Sequence, residues 1–125
     1  MAFPGTYNFS YYKGDTFEFN VYPKNASGAA FNLAGYLSQF TISTARGEAG
    51  VADQIPCFAE ISGDNTYIIC AIRPEDGEQM TAGTQYVYDI EISDSDVEYD
   101  YDKVYTILTG NISVTDQITG AGVVS

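Results

Sequence analysis

A chain of 125 residues is long enough to bury a core without staples, and by length it is one domain. Seventeen Asp and Glu against five Lys and Arg leave a net charge of −12 with no histidine. That balance excludes DNA and anionic lipid as natural partners, because phosphate binding runs on Lys/Arg neutralisation and counterion release.

The opening MAFPGTYNFS has neither a basic nor an apolar signal-peptide region, and no apolar run approaches the ~20 residues that span a bilayer. The expectation is a soluble chain made in the cytoplasm, with no membrane partner. Eleven Tyr and seven Phe, with leucine only at 33, 37 and 108, make a strand-former's composition.

Residues 1–5 read as an N-terminal arm, 6–116 as a single β domain and 117–125 as a C-terminal arm. Thr6 to Tyr12 is a short β run, turned by Lys13-Gly14-Asp15. In TFEFNVYP, Phe17, Phe19 and Val21 alternate with Glu18, Asn20 and Tyr22, the period of a half-buried strand, which Pro23 stops. KNASGAAFNLAG is loop material, with Phe31 and Leu33 pinning it to the core edge. Tyr36 to Thr44 is the next strand, with Phe40 and Ile42 inward, and ARGEAGVADQ reads as an exposed connection.

IPCFAEISGDNTYIICAI predicts a hairpin around a Ser62-Gly63-Asp64-Asn65 loop. That loop sets Ala59 against Ile68 and Cys57 against Cys70, with Ile55, Cys57, Ala59 and Ile61 sharing the core face with Ile68, Cys70 and Ile72. The two cysteines read as buried free thiols rather than a disulfide, and without a CxxC or Cys/His pattern zinc is set aside.

Pro74 followed by Glu75 and Asp76 predicts a single helical turn over residues 74–80, with Met80 as its core anchor. Gln85 to Ser93 alternates again, Tyr86, Tyr88, Ile90 and Ile92 against Val87, Asp89 and Glu91. VYTILTGNISVT is the last long strand, interrupted at Gly110 as a bulge or a switch between sheets would interrupt it. Seven to eight short strands with closely spaced turns predict an immunoglobulin-like antiparallel β-sandwich.

Between the last two strands, SDSDVEYDYDKVY places Asp94, Asp96, Glu98, Asp100 and Asp102 at every second residue. Counted as an EF-hand from Asp94, position six is Tyr99 and position twelve Tyr105, so that pattern fails. The row reads as the wet face of a hairpin, with Asp94, Asp96 and Glu98 as the residues a calcium ion would take.

Catalysis has no foothold: histidine is absent, and no GxSxG, HExxH or phosphate-cradling loop occurs. Asn8, Asn25 and Asn111 begin glycosylation-acceptor triplets, which carry no meaning without secretion. The expectation is no enzyme and no cofactor.

The run PGTYNFSYYKGDTFEFNVYPKNASGAAFNLAGY resembles the opening of small β-sandwich modules in tailed-bacteriophage virion proteins. It has the alternating strand after a Gly-Asp turn and then Asn32-Leu33-Ala34-Gly35-Tyr36. The second half is similar too, with a Thr81 to Thr84 bend, YVYDIEI, an acidic tip and VYTILTGNISVT. The resemblance implies a virion structural role with other virion subunits as partners, in multiple copies or as a homo-oligomer. Tail or baseplate is the first location and outer capsid decoration the alternative.

Candidate interface residues are Phe3, Tyr11, Tyr12, Phe58, Tyr67, Ile69 and Val123, aromatic or apolar positions that strand parity turns outward or that lie in the arms. From another class, the alternatives are a calcium-dependent carbohydrate-binding module using Asp94, Asp96 and surface tyrosines, and a hydrolase accessory domain.

Overall fold

Alternation of aromatic and β-branched residues with polar ones dictates strands, and the computed structural model, which describes residues 4–95 and 102–116, is built almost wholly of them. In chain order they are β1 Gly5–Thr6, β2 Phe9–Tyr12, β3 Phe17–Val21, β4 Leu37–Ser43, β5 Ile55–Ile61, β6 Ile68–Ile72, β7 Gln85–Ser95 and β8 Asp102–Thr115. A 3-10 helix, Gly47–Asp53, joins β4 to β5, and a helical turn, α1 Pro74–Gly77, joins β6 to β7.

The hydrogen-bonded order is β1-β8-β7-β4-β5-β6-β3, with β2 also on β8. β3-β6-β5 and β4-β7-β8 are the B-E-D and C-F-G layers of the immunoglobulin layout, so the expected fold class holds. Two features differ from a plain antiparallel sandwich. Residues Ile55 to Cys57 of β5 pair with β4 while Phe58 to Ile61 pair with β6, so one curled sheet makes both layers. The first two strands run parallel to β8, Gly5 against Leu108 and Phe9 against Ile112.

The layers meet through rings. Phe19 of β3 stands edge-on to Phe40 of β4 at 5.6 Å and to Tyr88 of β7 at 6.5 Å. On β7 the alternation is complete: Tyr86, Tyr88, Ile90 and Ile92 are buried. Leu33 and Met80 are buried as well, so loop and helical turn are anchored as their sequences predict. Each side chain of this size stabilises by about 1.5–3 kcal/mol when withdrawn from water.

α1 is fixed at its start by Asp76, whose carboxylate accepts the Arg73 backbone N–H at 3.1 Å and the Arg73 guanidinium at 2.8 and 3.0 Å. At the start of β7 the Tyr86 hydroxyl accepts the Thr81 N–H at 2.7 Å and holds the corner after the helical turn.

Two local expectations are corrected. The β5–β6 register sets Ala59 against Cys70 and Ile61 against Ile68, two residues from the predicted pairing, so Cys57 and Cys70 are offset rather than directly opposed. The reason is the loop: Ser62 N–H bonds the Tyr67 carbonyl, which makes Gly63 to Thr66 the loop, with Asn65 at φ 62°. Both cysteines are free thiols, as expected.

Gly110 is not a bulge, since it pairs in register with Tyr88; the irregularity lies between Ile90 opposite Leu108 and Glu91 opposite Thr106. The connection over 45–54 is exposed over most of its length, as expected, and coils as a 3-10 helix over Gly47–Asp53 around the buried Gly50, whose carbonyl accepts the Ser43 hydroxyl at 2.6 Å.

Candidate interaction surface

Strand parity turns every second residue of β3, β6 and β5 away from the core. The register then aligns them in rows: Phe58 lies against Ala71 and Ala71 against Glu18, while Glu60 lies against Ile69 and Ile69 against Asn20. Just beyond the strands, the rings of Tyr67 and Tyr22 lie 5.0 Å apart. Phe58 is 37% exposed and Tyr22 55%. The outer face of this layer is therefore an apolar band of Phe58, Ile69, Tyr67 and Tyr22, flanked by Glu18 and Glu60, with Ala71 buried between Phe58 and Glu18.

Three of the seven expected interface residues, Phe58, Tyr67 and Ile69, come together in that band. Tyr12 is exposed at the end of β2. Tyr11 is a correction: it is 2% exposed, and its hydroxyl donates to the Asp15 carbonyl at 2.6 Å. Adjacent residues of a strand face opposite sides, so with Tyr12 outward on β2 its neighbour Tyr11 turns inward. Burial pushes its phenol up to about 12. Phe3 and Val123 lie outside the described residues. Tyr22, placed by the alternation on the outer side with Glu18 and Asn20, joins the band although it is not among the seven expected interface residues.

Of the calcium candidates, Asp94 lies opposite Lys103 across the β7–β8 pair, and Asp96 and Glu98 fall outside the described residues. Among the described residues, no three Asp, Glu, Cys or His side chains stand close enough to hold a metal ion.

A second feature carried no signal in the one-dimensional pattern. Gln39 and Thr41 of β4 sit directly opposite Glu91 and Asp89 of β7, and with Arg46 they line a polar cleft of about 280 Å³ against the 3-10 helix. Burial raises the Asp89 carboxyl above its ordinary range, with Arg46 opposing the shift. Burial and then the neighbouring Asp89 charge raise Glu91. The Arg46 guanidinium also donates to the Gly110 carbonyl at 3.3 Å, tying the helix segment to β8.

No protein-family model matches the chain, and no curated protein does. Among solved structures, the chain is similar to a family 123 glycoside hydrolase from Clostridium perfringens, described for its hydrolysis of glycolipid glycans, at 14% identity and a TM-score of 0.38. The match covers 92% of this chain and 24% of the hydrolase, so the chain spans about a quarter of that enzyme's length.

Proposed function

We propose that this chain is a non-enzymatic structural subunit of a tailed-phage virion, docking to other virion subunits in multiple copies, in the tail or baseplate. The observation that carries the reading is the apolar band of Phe58, Ile69, Tyr67 and Tyr22 on the outer face of β5, β6 and β3. Tyrosine and phenylalanine contribute large contact area at low entropy cost, and an apolar centre with a charged rim is the composition of a subunit interface. The patterned resemblance to virion sandwich modules gives the band its partners.

The test is reconstitution on phage particles lacking the subunit, read by electron microscopy. Wild-type protein is expected to add density at the tail or baseplate; Phe58→Glu/Ile69→Glu is expected to fold with an unchanged melting temperature and add none. Density on the capsid shell would move the subunit to a decoration role. Rebinding unaffected by the double variant, or no binding by wild type, would overturn the proposal.

A further inference from the structure

The two ends of the curled sheet face each other across a seam. Among the described residues, β3 ends the order on one side, paired only to β6, and β1 ends it on the other, paired only to β8. Toward β2 the seam is closed by rings, with Phe9 stacked on Phe17 at 4.5 Å and Tyr7 against Phe19 at 6.0 Å. Toward Gly5 it opens into a groove of about 570 Å³. One wall is Gly5, Tyr7, Ile107 and Leu108; the other is six consecutive residues, Phe19 to Lys24.

An unbroken run of lining residues has a specific meaning. A groove lying over a sheet face meets every second residue of a strand, whereas one lying along an edge meets all of them. Over Phe19 to Val21 this groove therefore follows the backbone edge of β3, which among the described residues has no neighbouring strand on that side; beyond it the Pro23 carbonyl accepts the Phe31 N–H at 3.0 Å and Lys24 bridges to Ala30. The groove wall is apolar apart from Asn20 and Lys24, and among the described residues no carboxylate lies within ion-pair distance of the Lys24 ammonium.

We infer that this seam takes an extended segment of a different polypeptide, added along β3 with an apolar side chain in the groove and a carboxylate beside Lys24. The edge supplies the main-chain pairing that gives strand addition its affinity, and the groove supplies the side-chain pocket that gives it specificity. The cation sets the polarity: it is one of five in a chain of net charge −12, and it stands at the groove's end. A second copy of this chain is disfavoured as the occupant, because it would bring twelve further net negative charges. The inference rests on the subunit-docking reading but uses a different part of the molecule from the outer band, so either can fail alone.

The experiment is a titration of the ¹⁵N-labelled full chain with the capped peptide acetyl-Thr-Val-Thr-Val-Thr-Glu-amide and its Lys-terminated counterpart, followed by amide shifts. The Glu peptide is expected to move the amides of Phe19 to Tyr22, Lys24, Gly5, Tyr7 and Leu108, and to bind about tenfold more tightly than the Lys peptide. Lys24→Glu, checked for an unchanged melting temperature, is expected to reverse that preference. Three outcomes would overturn the inference: shifts elsewhere, equal binding of the two peptides, or no binding at millimolar peptide. Groove amides that shift with protein concentration alone would overturn it in favour of a second copy.

Discussion

At the scale of single residues, Gly110 is a position where neighbouring backbone leaves no room for a side chain. The chain between β1 and β2 crosses directly over it: Tyr7 N–H bonds the Thr109 carbonyl at 3.0 Å, and the Tyr88 hydroxyl donates to the Tyr7 carbonyl at 2.6 Å. A methyl group on Gly110 would run into that carbonyl and reach 3.0 Å from the Tyr88 ring. Gly110→Ala is therefore expected to lose about 2–4 kcal/mol in urea unfolding, as overpacking that the backbone must move to relieve. Gly63 is the control. A methyl group there meets nothing within 4 Å, and Gly63→Ala is expected to stay within about 0.5 kcal/mol of wild type. Equal effects at the two glycines would break this account of the crossing.

At the scale of elements, the turn between β6 and β7 depends on one carboxylate. Asp76 is 2% exposed and accepts three N–H groups of Arg73, one of them from the backbone. Asp76→Ala removes the acceptor and is expected to destabilise by about 2–3 kcal/mol, since hydrogen bonds to charged groups are worth more than neutral ones. A chemical-denaturation midpoint unchanged from wild type would show that Pro74 and Met80 hold the turn without it. Proline and the following acids announced this element in the sequence, and strict alternation announced β3, β4 and β7, because both signals are local.

What stayed hidden was set by contacts distant in sequence. The parallel pairing of β1 and β2 with β8 depends on residues about a hundred positions away. The phase change on β8 was present as two adjacent apolar residues: Ile107 faces inward, as do Gly110, Ile112 and Val114 after it, so the inward parity switches across Leu108. Gly110 drew attention instead because glycine interrupts a strand for either reason, bulge or close approach. The hairpin register slipped because Asn65, in the left-handed region, closes a turn one residue later than the loop signal implied. Of the outer band, three members were legible from parity alone. The edge groove was not, because an edge is defined by the absence of a neighbour.

At the scale of the whole molecule, the raised ionisations all act in one direction. Asp89 and Glu91 have folded-state pKa values above their ordinary 3.8 and 4.5, so over that window the folded chain binds more protons than the unfolded one. Stability from these two acids is fully present below those ordinary values and is lost as pH rises through the raised ones. The same sign holds at the alkaline end. Burial pushes the Cys57 and Cys70 thiols from 9.0 up to about 12 and the Tyr11 phenol from 10.0 up to about 12, and it raises Tyr88 further. Unfolding releases these protons, so stability falls progressively once pH passes about 9. A net charge of −12 adds self-repulsion of the same sign. The urea midpoint is therefore expected to be at least as high at pH 5 as at pH 7, and to drop steeply between pH 9 and 10.5. Cys70→Ala removes one of the buried thiols and is expected to flatten that alkaline limb relative to its own value at pH 7. A midpoint that falls between pH 7 and 5, or stays level to pH 10.5, would mean that these groups meet water in the folded chain.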